Sequence, residues 1–215
     1  MIPPLPLAGE LAIPEAARGV VIFAHGSGSS RFSTRNRTVA AQLRVEGLGT
    51  LLLDLLTGPE EEQSGYGFDL DRLAGRLRQA TEWVRGHPLT RALPVAYFGA
   101  STGAAAALLA AAEPDSPVYA VVSRGGRPDL VVSTLGLVRV PTLLVVGSRD
   151  ETVLAGNRWA LGHLNDRSRL EIVEGATHLF PEPGTLEQVA RLAADWLVAH
   201  LPGRTGAQAG AQAGE

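Results

Sequence analysis

Cysteine is absent from this sequence, and so is lysine: all 19 basic residues are arginine. The first absence excludes disulfides, thiolate metal sites and a cysteine nucleophile. The second excludes a phosphate-loop lysine and a Schiff-base lysine. Aromatics make up only 5% of the chain and the formal net charge is −3, so no basic footprint for nucleic acid or an acidic membrane is present. No stretch reaches the roughly 18 apolar residues of a membrane span. The opening "MIPPLPLAGE" has neither the positive charge nor the apolar run of a signal peptide. A cytoplasmic protein is expected. The remaining chemistry belongs to Ser, Thr, Asp, Glu, Tyr, five histidines or a bound metal.

What is present is a chain long enough for one large domain, 45% of it hydrophobic. Apolar runs recur at 19–25, 50–56, 94–100, 117–123, 141–147 and 169–175, with a weaker one, "GELAI", at 9–13. They are continuous rather than alternating, as in strands covered on both faces. Helical stretches lie between them. The first ends on Gly47, a C-cap candidate. The second sets Leu70, Leu73, Leu77, Ala80 and Val84 on one face. A third begins at Ser101 and a fourth has Pro128 in its first turn. Two more follow, the last with Thr185 and Gln188 at capping-box spacing.

Strand and helix in alternation predict a three-layer α/β fold: a mostly parallel sheet of about seven strands with helices on both faces. We read residues 1–202 as one domain and the Gly/Ala/Gln-rich 203–215 as a mobile tail. Ligands of such sheets bind beyond the carboxyl ends of the strands, so the residues standing there matter most.

Gly99-Ala100-Ser101-Thr102-Gly103 is G-x-S-x-G after a buried strand and before a helix. A tight strand-to-helix turn crowds positions −2 and +2 of its central residue, and glycine relieves the crowding. The turn sets Ser101 at the positive end of the next helix, where the Thr102 N–H can face a developing oxyanion. A serine nucleophile needs a base and an orienting acid. "VEGATHLFPEP" offers His178 after the last strand, and "LLVVGSRDETV" offers Asp150, with Glu151 as a neighbouring competitor. Taken alone, each has a plainer reading, as a capping histidine and a solvated loop acid. Together they stand in the order Ser101, Asp150, His178, each past its own strand. The loop "FAHGSGSSR" offers a second oxyanion donor, the Ser27 N–H, with Gly28 in reserve; His25 is expected to shape this loop rather than act as base.

These segments resemble the α/β-hydrolase superfamily, in particular small dienelactone-hydrolase-like proteins, including those found beside phosphoribosyltransferase domains. The likeness is carried by "VVIFAHGSGSSRFSTRNRTVA", "TLLLDLLT", "YFGASTGAAAAL", "VVSRGGRPDL", "PTLLVVGSRDETV" and "GATHLFPEPGTLEQVA", spanning residues 19–198. It implies Ser101 as nucleophile, Asp150 as acid and His178 as base. The namesake enzymes carry cysteine at the elbow, which weighs against dienelactone itself as substrate.

The stretch between 123 and 141 has room for one helix and no cap domain, so a shallow, wet pocket and small substrates are expected. Arg31, Arg35 and Arg37 cluster at the start of the first helix, against the macrodipole, and Arg124 and Arg127 stand past another strand. They either pair with Glu60–Glu62, Asp54 or Asp129, or bind a carboxylate or phosphate of the substrate; Gly28, Arg31, Arg124 and Arg127 are the candidate substrate contacts. The expected activity is hydrolysis of small carboxylic esters or lactones through an acyl-enzyme, with no cofactor, no metal, no nucleic acid and no membrane partner. The alternatives are an acyltransferase or peptidase with the same triad, or a non-catalytic binding domain of the same fold.

Overall fold

A computed structural model describes residue 2, residues 6–62 and residues 69–203. The tail expected to be mobile falls, apart from Gly203, outside them. Seven strands form one sheet in the order β1-β3-β2-β4-β5-β6-β7. They are β1 (Gly9–Ala12), β2 (Gly19–Ala24), β3 (Leu48–Leu53), β4 (Val95–Ala100), β5 (Val118–Arg124), β6 (Thr142–Gly147) and β7 (Arg169–Val173). β1 pairs antiparallel with β3, and every other pairing is parallel. This is the doubly covered sheet that the unbroken apolar runs require: β2, β3, β4 and β6 are buried at every position.

Side chains alternate between two cores. Val20, Ile22 and Tyr97 face α3 (Leu70–Gly86) and α4 (Thr102–Ala111). Val21, Phe23, Phe98 and Val122 face α1 (Thr34–Val45) and α6 (Thr185–Ala199). The short α2 (Gly58–Glu61) precedes α3, and α5 (Glu151–Leu161) lies between β6 and β7. Helix α3 buries Leu73, Leu77, Ala80 and Val84, the stripe read from its 3.6-residue period. Helix α4 is nearly all small residues and is buried almost completely, which brings it against the sheet beneath Ser101.

Two local expectations are corrected. The stretch after Arg127 is a 3₁₀ helix, Pro128–Leu137, broken at Val131 (φ −133°, ψ 35°), rather than one α-helix. Two β-branched valines in the first turns and Gly136 near the end make it a poor continuous α-helix. The last helix has no capping box. Its cap is Gly184 at φ 80°, and the Thr185 hydroxyl donates back to the Glu182 carbonyl at 2.7 Å. A capping box does occur where none was expected, with Thr57 and Glu60 opening α2. Among the described residues no helix is long and apolar enough to cross a membrane.

Candidate active site

Ser101 sits between β4 and α4 with φ 51° and ψ −120°. This conformation costs a non-glycine residue on the order of 1–3 kcal/mol and persists only where the surroundings enforce it. The flanking glycines show why. A β-carbon on Gly99 would lie 2.4 Å from the Ala104 Cα, and one on Gly103 would lie 2.3 Å from the Ala24 carbonyl oxygen. Both distances are far below contact, so the turn closes only with hydrogen at those positions. The Ser101 N–H donates to the Arg124 carbonyl at 3.1 Å, and the Ser101 carbonyl accepts from the Arg127 N–H at 3.3 Å. The elbow is thus clamped to the end of β5.

Asp150 follows the end of β6 and stands at the N-cap position of α5. Its Oδ2 accepts from His178 Nδ1 at 2.6 Å. An acceptor-only carboxylate there selects the Nδ1–H tautomer and leaves Nε2 with its lone pair outward. The two loops approach because β6 ends in glycine: a β-carbon on Gly147 would lie 2.3 Å from the Ala176 carbonyl oxygen. The Arg149 N–H donates to that same carbonyl at 2.9 Å. The histidine loop is anchored on its far side by Phe180, buried and held at φ 55°, and by the Thr177 hydroxyl donating to Glu182 at 2.7 Å. That bond draws the Glu182 carboxyl below the usual carboxylate range.

Gly125, at φ 52°, lines the imidazole. A β-carbon there would lie 3.4 Å from His178 Nδ1 and Cε1. One peptide unit therefore links the acceptor of the Ser101 amide to the residue packed on the imidazole. No hydrogen bond joins the Ser101 hydroxyl to His178 among the described residues.

The loop after β2 reaches the elbow from the other side. A β-carbon on Gly26 would lie 3.2 Å from Ser101 Cβ. The Ser27 N–H donates to the Thr102 hydroxyl at 2.8 Å. The two residues named as oxyanion donors are thus neighbours, but the Ser27 amide already has a partner. Gly28 takes φ 69° with open space around it. His25 is buried, its Nδ1 3.0 Å from the Gly26 carbonyl and its Nε2 accepting from the Leu55 N–H at 3.0 Å. Burial pushes its pKa below the ordinary 6.5. Both ring nitrogens are spent on backbone, so His25 shapes the loop, as expected from the sequence.

The arginines divide. Arg31 bonds Asp54 through its backbone N–H at 2.7 Å and through its guanidinium, and Arg127 forks onto Asp129. Each is paired with one of the carboxylates that the plainer reading offered to the group. Arg124 is different: it is 7% exposed and its Nε and Nη1 have no partner.

Two contributors were missed in the sequence. The Thr102 hydroxyl ties the two loops together. Asn157, wholly buried on α5, donates to the Gly126 carbonyl at 2.9 Å and holds the 125–127 turn. Asn157 was detectable as the one polar member of the inward stripe Leu154, Asn157, Ala160.

An open, mostly parallel sheet with a strained serine on its central elbow is the architecture of the α/β-hydrolase class. A dienelactone hydrolase from Anabaena variabilis superposes with a TM-score of 0.90 at 52% identity, covering 94% of this chain and 95% of that one. A Pyrococcus furiosus esterase matches with a TM-score of 0.75 at 18% identity, over 91% and 87% of the two chains, a likeness of fold. In sequence, the "Putative phosphoribosyl transferase" of Mycobacterium tuberculosis is 57% identical over 205 residues, 94% of this chain and 46% of its own length. The chain therefore spans about half of that relative. No family model matches the sequence. The chain belongs to the dienelactone-hydrolase-like family of α/β-hydrolases.

Proposed function

We propose that the protein is a serine hydrolase of small carboxylic esters or lactones, working through an acyl-enzyme. The observation that carries the reading is the 2.6 Å bond between Asp150 and His178 on the sheet edge where strained Ser101 stands. In this reading His178 Nε2 removes the Ser101 proton as Oγ attacks the substrate carbonyl. Asp150 stabilises the imidazolium that forms. The tetrahedral oxyanion is received by the Thr102 N–H, at the start of α4, and by the Ser27 N–H. The Ser27 amide exchanges the neutral Thr102 hydroxyl for the oxyanion, since a charged acceptor makes the stronger bond.

The intermediate collapses, the C–O bond to the leaving group breaks, and His178 returns the proton to the departing alkoxide. Water, deprotonated by His178, then attacks the acyl-enzyme and releases the acid, restoring the Ser101 hydroxyl. A lactone follows the same course and leaves as one hydroxy acid. The 3₁₀ segment Pro128–Leu137 occupies the place between β5 and β6, and an uncapped site there favours water as the acyl acceptor.

The test is a screen of short-chain esters and lactones with wild type and Ser101→Ala, together with labelling by a fluorophosphonate. Turnover and labelling are expected in wild type and neither in the variant. Ester turnover retained by Ser101→Ala would overturn the assignment.

A further inference from the structure

Among the described residues, Arg124 is the buried arginine without a counterion. Arg76, 8% exposed, has Glu60 at 2.8 Å. Arg124, 7% exposed, makes no side-chain hydrogen bond or ion pair with any described residue. Its Nε and Nη1 are sealed from solvent, which leaves Nη2 as its open nitrogen. A buried guanidinium with no partner is strongly destabilising, a cost that folds do not normally retain without use.

Its position is also informative. Arg124 ends β5 in register with Ala100, and its carbonyl holds the Ser101 amide. By strand alternation it shares a face with Ala120 and Val122, the face covered by α1 and α6. The charge that acts on its guanidinium is that of another cation, Arg35, in the first turn of α1, whose own Nε is buried without a partner. The first turn of α1 has no acidic side chain. Asn36 beside it leaves a buried Oδ1 unpaired. Burial, reinforced by Arg35, pulls the Arg124 guanidinium down to about 10. Two like-charged guanidiniums, one ending β5 beside the elbow and one at the N-terminus of α1, thus act on each other, and the first turn of α1 carries no carboxylate to offset them.

We propose that Arg124 and Arg35 form a subsite beside Ser101 for a phosphate dianion, so that the ester or lactone substrate carries a phosphate group. The substrate half of this rests on the serine-hydrolase reading; the phosphate site does not. The charge count decides between anions. A carboxylate would neutralise one of the two guanidiniums and leave the other buried and unpaired. A phosphate monoester, with about two negative charges at neutral pH, matches both. One of its oxygens can accept from Nη2, the open nitrogen of Arg124. Arg31 and Arg127, already paired with Asp54 and Asp129, are not part of it.

The experiment uses the full chain and three probes: inorganic phosphate, phenyl phosphate and acetate. Binding is measured by calorimetry at low ionic strength on wild type, Ser101→Ala, Arg124→Met and Arg35→Met. The same anions are then tested for slowing of fluorophosphonate labelling at Ser101. Phosphate is expected to bind wild type and Ser101→Ala alike, to bind at least tenfold more weakly to each arginine variant, and to slow labelling of wild type. Arg124→Met is expected to raise Tm by a few degrees, since it removes an unpaired buried charge. If it does not fold, Arg35→Met on the partly exposed helix start decides alone.

Absence of phosphate binding, binding unaffected by both arginine variants, acetate binding as tightly as phosphate, or phosphate binding that leaves labelling unchanged would each overturn the proposal. Failure of Ser101 to label at all would instead refute the hydrolase reading, and the calorimetry would still decide the phosphate site.

Discussion

Asp150 Oδ2 and His178 Nδ1 lie 2.6 Å apart, although 28 residues separate them in the chain. The acid comes from the end of β6 and the imidazole from the loop after β7, so the pair exists only because those strands are neighbours. Under the proposed mechanism Asp150→Asn offers Nδ1 an amide in place of an anion and destabilises the imidazolium. We predict a fall in kcat of about 10⁴ with KM little changed. Ser101→Ala should cost on the order of 10⁴ to 10⁶. Combining the two should cost no more than Ser101→Ala alone, because the residues act as a unit. Steady-state kinetics on one short-chain ester measure all three.

The glycines around the elbow differ sharply in what they tolerate. Gly99→Ala and Gly103→Ala each force a β-carbon to within 2.4 Å of backbone atoms that cannot retreat. Each should destabilise the fold by more than about 3 kcal/mol. Gly156→Ala, inside α5 with nothing within 4 Å, should instead stabilise by ~0.5–1 kcal/mol. Urea unfolding of the three variants checks this, and equal effects would contradict the packing described.

His25 provides a pH signature. Burial lowers its pKa in the folded protein, and its Nε2 must stay unprotonated to accept from Leu55. Below pH ~6.5 the unfolded chain takes up a proton that the folded one refuses, so stability falls with acidity from there downward. His25→Gln should weaken this dependence. At pH 7.5 the variant itself should lose about 1–2 kcal/mol from the disturbed backbone bonds. Unfolding free energies between pH 5 and 8 give both quantities.

Glu60 works in the opposite range. Hydrogen bonds from the Thr57 amide and hydroxyl, with Arg76 and Arg72, outweigh desolvation and hold its carboxyl at about 2. Its contribution is therefore fully present above pH ~4.5 and is lost as pH falls toward 2. Glu60→Gln should lower Tm at pH 7, and the gap to wild type should narrow below pH 4.5 and close near pH 2. Thermal unfolding at three pH values tests it. A gap independent of pH would mean that packing, not charge, is what the carboxylate supplies.

The strands and the order Ser101, Asp150, His178 could be read in the chain because each rests on a local cause. Burial on both faces writes an unbroken apolar run, a closing helix face writes a 3.6-residue period, and a strand-to-helix elbow demands glycine on either side. The α6 cap and the break at Val131 could not. They depend on what Gly184 and Val131 meet on arrival, and the sequence pattern at Thr185 and Gln188 suits a cap that the left-handed Gly184 makes unnecessary.

Nineteen arginines and 22 acids are visible as a list, but nothing local tells which cation will find an acid. Arg31 and Arg127 do, and Arg124 does not, because strand register and the seating of α1 select each side chain's neighbours. The same holds for the Ser27 amide on the Thr102 hydroxyl, 75 residues away. Backbone preference and hydrophobic period act over a few residues and so are written locally. Charge pairing and hydrogen-bond partnership across loops require folded distances, and the tertiary structure alone supplies them.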